Sequence, residues 1–270
     1  MKRLIISAPF GNYIQPEGAT ATLGTFTVHP RPGRVWRVIR TVRYYPRLGA
    51  WVNRIGLRNP GIEWLLKRVD GGRMDVSDKI VSIHGFGDDD WYRLIDRLHA
   101  LSPMAVELNI SCPNIGHVNW PADLFERTVS MCGDDGLPIV KLPPVNYELI
   151  LDQAIEAGIR TFHCCNTLPV PAGGLSGKPL KPVALQCIRD IHIRVGAETW
   201  NDLTIVGGGG ITSTVDIDDY AEIGVRHVAI GTRAMNPRFL VSDRPLRDLA
   251  KYAHHRLEEA PPEPVPDVVT

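Results

Sequence analysis

Ala105-Val106-Glu107-Leu108-Asn109-Ile110-Ser111-Cys112-Pro113-Asn114 is the stretch on which the fold turns. Its first six residues, Ala105 to Ile110, form a largely apolar run of the length of a buried strand. The rest is polar and closed by a proline, as a strand is where it empties into a loop. Asn109, Ser111, Cys112 and Asn114 place two amides, a hydroxyl and a thiol side by side. Amides at a strand end offer donors and acceptors to a planar, amide-bearing ligand. A thiol beside them can move a proton. Taken singly, each residue reads more simply as part of a polar turn next to an inert buried cysteine; their coincidence points to a site.

Outward from this strand the chain keeps a regular rhythm. Strands are predicted at Leu4–Ser7, Ala19–Thr27, Ile80–Ile83, Ala105–Ile110, Ile139–Leu142, Thr161–Asn166, Leu203–Val206 and His227–Ile230. Helices are predicted at Ile62–Val69, Asp89–Leu101, Ala122–Met131, Tyr147–Ala157, Pro182–Val195, Val215–Ile223 and Pro245–Leu257. Eight strands alternating with helices predict an α/β fold, a closed (β/α)8 TIM barrel. Only Gly11 to Gly18, with Pro16, separate the first two strands, so the first crossover is expected to be trimmed. A single domain over 1–257 is expected, followed by a frayed Pro/Glu-rich tail over 258–270. From His29 to Arg47, arginines recur at 31, 34, 37, 40 and 43. The stripe reads as the solvated face of an irregular excursion, with an anion- or partner-binding ribbon as the functional alternative.

Bulk properties narrow the classes. The formal net charge is zero and the pI about 7.1, so no global field favours nucleic acid or anionic membranes. Five cysteines, an odd number without metal-ligand spacing, fit a reducing, cytoplasmic compartment and no metal site. No apolar run approaches the ~18 residues of a membrane span.

A TIM barrel builds its active site at the C-terminal ends of its strands, and the sequence places unusual residues there. Ser7-Ala8 are small enough for a flat ligand to approach the backbone. Lys141 lies inside the apolar run Ile139–Leu142, where an unpaired ammonium is costly, unless it snorkels to the rim. Asn166-Thr167 follow another strand. Gly173-Gly174-Leu175-Ser176-Gly177 read as a loop, and Gly207–Gly210 and Gly231-Thr232 follow the last two strands, where this fold binds phosphate. A phosphorylated cofactor with a flat ring fits the set, which means FMN, with Lys141 facing the N1–C2=O edge to stabilise the reduced ring. Three rivals remain open here. Lys141 could be a Schiff-base amine of a flavin-free lyase or isomerase; the flavin could serve another dihydropyrimidine or enone; or the chain could bind flavin without catalysis.

These motifs together resemble class 1 dihydroorotate dehydrogenases. The resemblance rests on Asn109-Ile110-Ser111-Cys112-Pro113-Asn114, Val140-Lys141-Leu142-Pro143-Pro144, Asn166-Thr167, Gly173–Gly177, Val206–Ile211 and Ile230-Gly231-Thr232. Asn53-Arg54-Ile55-Gly56-Leu57-Arg58-Asn59-Pro60-Gly61 is similar to the family's pyrimidine-contacting loop. The resemblance implies interconversion of dihydroorotate and orotate in pyrimidine biosynthesis, with Cys112 as base and hydride passing to flavin N5. It places Ser7, Ala8, Thr25, Asn109, Lys141, Thr167, Ser176, Gly177, Gly208, Gly209, Gly231 and Thr232 around FMN. It places Asn53, Ile55, Gly56, Leu57, Asn109, Asn114, Asn166 and Thr167 around a pyrimidine-like substrate. A homodimer is expected, with an electron-transfer subunit as a further partner and fumarate, NAD or a quinone as acceptor. One departure stands out: aligned on the class 1 pattern, Gly24 occupies the place of a lysine that meets flavin and substrate carboxylate. Arg31, Arg34 and Arg54 are the cations that could replace it.

Overall fold

The computed structural model describes residues 1–111 and 120–258. Cys112, Asn114 and the tail after residue 258 lie outside the described residues. All eight predicted barrel strands form: β1 (Leu4–Ile6), β2 (Ala19–Phe26), β5 (Ile80–Ile83), β6 (Ala105–Leu108), β7 (Leu137–Leu142), β8 (Thr161–Cys164), β11 (Thr204–Gly208) and β12 (His227–Ile230). They close in the order β1-β12-β11-β8-β7-β6-β5-β2, every neighbouring pair parallel. Between β1 and β2 runs a single 3-10 turn, Phe10–Asn12, so the first crossover is trimmed as the short Gly11–Gly18 spacer predicts. The outer helices are α2 (Ile62–Asp70), α3 (Asp88–His99), α4 (Leu124–Cys132), α5 (Glu148–Glu156), α6 (Leu180–Asp202, kinked at Gly196), α7 (Thr214–Ala221) and α8 (Arg244–Glu258).

Side chains alternate across each strand, so residues two apart share a face. Ile5, Ile80, Ala105, Ile139, Val206 and Ala229 pack into an apolar plug inside the barrel. Their in-between neighbours, such as Leu4, Val81, Val106 and Val140, join the larger core under the helices. Two residues on from the plug, the interior turns polar: Ser82, Glu107, Lys141 and His163 are all buried. Burying each apolar side chain contributes about 1.5–3 kcal/mol, and this apolar surround is what makes the polar layer costly unless paired.

Two expectations fail here. The stripe of arginines is not irregular. It forms α1 (Arg34–Thr41), followed by β3 (Arg43–Tyr45) and β4 (Ala50–Asn53). The segment Gly173–Gly177 is not a loop but strand β10, which pairs antiparallel with β4 and with β9 (Leu168–Val170). The resulting sheet, β3-β4-β10-β9, stands outside the barrel. Its glycines permit close approach: at Gly173, φ is +131° and a Cβ would lie 2.3 Å from the Asn53 carbonyl oxygen. A glycine-rich stretch reads as a loop locally; only a partner some 120 positions away makes it a strand.

β2 bends where its register with β5 shifts between Leu23 and Phe26. Gly24 sits in that bend with φ +102°, and a Cβ there would lie 2.4 Å from the Ser82 carbonyl oxygen. Gly24→Ala is expected to lower the unfolding free energy by more than about 1 kcal/mol, read as a fall in the urea midpoint; an unchanged midpoint would show that the bend relaxes freely.

Candidate active site

A cavity of ≈ 560 Å³ opens over the C-terminal ends of the barrel strands, within the ~300–1,000 Å³ range of ligand sites. From the barrel come Ser7, Ala8, Thr25, Asn109, Lys141, Asn166, Thr167, Gly208, Gly209, Gly231 and Thr232. From the outer sheet and its loop come Asn53, Ile55, Gly56, Leu57, Ser176 and Gly177. The described residues that the resemblance places around FMN and the pyrimidine all line this one cavity, whereas Ser111, Gly207, Arg31 and Arg54 do not. The antiparallel pairing explains the second group: Gly174 lies opposite Asn53 and Ser176 opposite Trp51, so the outer sheet carries the Asn53 loop over the barrel mouth.

The floor is a buried ion cluster from three successive strands. Glu107, 1% exposed, receives a 2.7 Å hydrogen bond from His163 Nδ1 and faces the Lys141 ammonium at 3.9 Å. Burial alone pushes the Glu107 carboxyl up. The Lys141 charge, with the His163 N–H, outweighs burial and holds it down at about 2. Burial and the Lys141 charge both push His163 down, so its imidazole is neutral, with the proton on Nδ1. Lys141 Nζ forms no hydrogen bond with a described residue, and Glu107 Oε1 is likewise without one. A buried ammonium held this way is a donor aimed at whatever fills the cavity.

Above the floor the amides interlock. Asn109 Nδ2 donates to Thr25 Oγ1 at 2.9 Å, and Asn166 Nδ2 donates to Asn109 Oδ1 at 2.9 Å and to Ser111 Oγ at 3.2 Å. Ser111 Oγ donates to the Lys141 carbonyl at 2.7 Å. Both Asn166 N–H groups are thus spent within the protein, whereas Asn109 Nδ2 has one bond among the described residues. His84, buried against Trp91 and Phe86, donates Nδ1–H to the Asn109 carbonyl at 2.7 Å. Burial lowers its pKa to about 4, so it stays neutral in this role. Glu107, His163 and His84 escaped the sequence reading. Glu107 carried the same signal as Lys141, a charge inside an apolar strand, and could have been flagged by it.

The phosphate end differs from the expected helix start. The N-terminus of α7 is closed by the chain's own Asp216, which accepts from the N–H groups of Thr212 and Ser213 at 2.8 and 2.9 Å and from Lys181 at 2.6 Å. The donors left for an anion are the backbone N–H groups of Gly209, Gly210 and Thr232, which bond to no described residue. These N–H groups and the Lys141 ammonium, lining one cavity, fit a phosphorylated ring cofactor.

Of the cations that could stand in for a lysine at Gly24, Arg34 lines the cavity, as does Arg58. Arg34 Nε donates to the Arg58 carbonyl at 2.9 Å, and its guanidinium also reaches Tyr13 Oη. Arg31 instead stacks on Phe86 at 4.4 Å, and Arg54 is exposed and bonded to the Pro171 carbonyl.

Comparison with known proteins agrees with this geometry. The family model for dihydroorotate dehydrogenase matches residues 12–251. The dihydroorotate dehydrogenase B (NAD(+)) catalytic subunit of Alkaliphilus oremlandii is 32% identical over 240 residues, covering 80% of this chain and 78% of that protein. Its counterpart from Trichlorobacter lovleyi is 32% identical over 255 residues, covering 84% and 80%. In fold, the chain is similar to DHODH from Eimeria tenella: TM-score 0.66 and 20% identity for the ligand-free crystal structure, covering 84% of this chain and 75% of that one. For the ferulenol complex the values are 0.68 and 18%, covering 96% and 84%. With the family model spanning nearly the whole barrel and its polar layers at the strand ends, this chain belongs to the dihydroorotate dehydrogenase family.

Proposed function

We propose that the chain interconverts dihydroorotate and orotate with FMN in the cavity, as a class 1 enzyme in which Cys112 is the base. The observation that carries the reading is the Lys141 ammonium: buried, with no hydrogen bond to a described residue, and lining a cavity that also holds backbone N–H groups bonded to no described residue. Bound there, FMN would supply a two-electron acceptor for the CH–CH bond of the substrate. Family membership makes the chain an oxidoreductase of that bond and displaces the lyase reading of Lys141. The relatives named as catalytic subunits support an electron-transfer partner, and we carry forward the homodimer and the cytoplasmic compartment as part of the proposal. Among the described residues no helix is long and apolar enough to cross a membrane.

The residues divide the task by chemistry. Lys141 places positive charge where the reduced ring accumulates electrons, and Glu107 with His163 fixes that charge in position. Ser7, Ala8 and Gly208 would leave room for a flat ring, and Ser176, Gly177, Gly209, Gly231 and Thr232 would hold the ribityl phosphate. Asn53, Asn109, Asn114 and Asn166 hold the pyrimidine, with Ile55, Gly56 and Leu57 over it. The missing lysine is a matter of backbone shape: the bend at Gly24 leaves no space for any side chain. We assign its carboxylate-binding role to Arg34, the candidate of the three that lines the cavity.

Three outcomes test this. Heat-released supernatant of the purified protein should contain FMN, and dihydroorotate should bleach the flavin anaerobically; FAD, no flavin after reconstitution, or no bleaching would defeat the proposal. Cys112→Ala should slow anaerobic flavin reduction by ~100- to 10,000-fold with FMN retained. In the wild type that rate should rise with pH toward the ordinary thiol value of about 8.5. A mutant as fast as the wild type would reassign the base. Arg34→Leu should weaken orotate binding, followed by flavin absorbance, by about 10- to 150-fold, the worth of one charge-assisted hydrogen bond; equal affinity would remove Arg34 from the site.

A further inference from the structure

The proposed chemistry leaves most of the arginine-rich excursion unexplained. Between residues 18 and 62 the chain carries no Asp or Glu but eight arginines, within a protein of zero net charge. Among the described residues none of the eight forms an ion pair. Those with hydrogen bonds use uncharged partners, as Arg43 does with the Val42 carbonyl at 2.9 Å. The same excursion is abnormally apolar at its surface. Seven of the fourteen large apolar side chains exposed among the described residues fall between 35 and 48. They include Val35 at 73%, Trp36 at 61%, Ile39 at 65% and Leu48 at 63% exposure. No residue of α1 is buried.

Helical spacing sorts these groups. Val35, Val38, Ile39 and Val42 fall on one stripe, which forms the mouth of the cavity. Arg37 and Arg40 fall on the opposite side, with Trp36 at the boundary and the Arg40 guanidinium 5.4 Å from its ring. Beyond the helix, Tyr44 and Tyr45 continue the exposed aromatic edge. Scattered exposed apolar residues need no explanation, but a contiguous patch of them marks an interaction surface. Arg, Trp and Tyr favour protein–protein interfaces as well, so the choice of occupant rests on the sign of the charge. Here charge of one sign only is interleaved with the apolar groups, and no described residue neutralises it. An amphipathic helix with aromatic and branched apolar residues on one side and arginines on the other matches a lipid interface carrying negative headgroups.

We propose that the face built by α1 and β3 docks on an anionic bilayer surface, peripherally, with the cavity mouth turned toward the lipid. The arginines meet the headgroups, Trp36, Tyr44 and Tyr45 sit at headgroup level, and Val35, Ile39 and Leu48 reach the acyl boundary. Zero net charge does not oppose this, because the attraction decays within about 8–10 Å and is set by the local patch. The proposal is independent of the cofactor and the substrate.

The test uses the whole protein with vesicles of phosphatidylcholine alone or mixed with phosphatidylglycerol. Co-sedimentation is expected with the mixed vesicles at low salt, not with phosphatidylcholine alone, and is expected to be lost at high salt. Tryptophan emission should be quenched by brominated acyl chains, and less so in Trp36→Phe. Each arginine near an anionic surface is worth about fivefold in partition, so Arg37→Glu combined with Arg40→Glu should reduce it at least about 25-fold. Both positions lie outside the cavity, Arg40 exposed and Arg37 half-buried, and an unchanged melting temperature would show that the variant is folded. Absence of binding to the mixed vesicles, or binding indifferent to the arginine reversals, overturns the proposal. So does a dimer in light scattering that Trp36→Asp splits, since the face would then be the contact between two copies.

Discussion

A carboxylate sealed inside the barrel governs this molecule. Glu107 lies directly above an apolar plug, out of reach of water, and is tolerable there only because Lys141 and His163 project into the same layer from the next two strands. Removing Lys141 would leave an uncompensated buried charge, and removing His163 would leave a carboxylate oxygen without its donor. The register of β6, β7 and β8 is therefore bound to the chemistry: a slip by one residue would turn each of these side chains into the helix layer. The layers above inherit their positions from it, because Ser111 hangs on the Lys141 carbonyl and Asn166 on Ser111 and Asn109.

The same arrangement prepares the site for a ligand before any arrives. Several amide donors are spent holding one another, while the Lys141 ammonium and the glycine-loop N–H groups, bonded to no described residue, are left to the cavity. Such a floor binds by fixed charge and dipole without reorganising. The rest of the lining comes from the outer sheet and α1, which the barrel does not need for closure. That division leaves the floor held by barrel register and the mouth by separate elements.

How much could be read beforehand follows from how local each signal is. The barrel was legible because alternating apolar runs and helical periods are properties of neighbouring residues. Lys141, the asparagines and the glycine loops were legible because each is anomalous where it stands. Glu107 was visible in the same way but was passed over inside its apolar run, and His163 and His84 look like ordinary strand residues until their partners are known. The α7 start read as an anion site, yet Asp216 folds back on it, a contact that the three-residue spacing from Ser213 permits without announcing.

By itself, then, the sequence determined the eight-stranded parallel barrel, the trimmed first crossover and the set of residues at the strand ends, since strand and helix periodicity and the polarity at strand ends are written in consecutive residues. Tertiary structure alone decided the antiparallel sheet β3-β4-β10-β9, which joins segments some 120 positions apart and turns a glycine-rich stretch into a strand. It decided the pairing of Glu107 with His163 across 56 positions and the closure of the Gly24 bend against Ser82. It also decided that the arginine stripe is a helix with its apolar side toward the cavity mouth. Contacts of that range depend on where the closed barrel brings backbones together, and no local pattern specifies them.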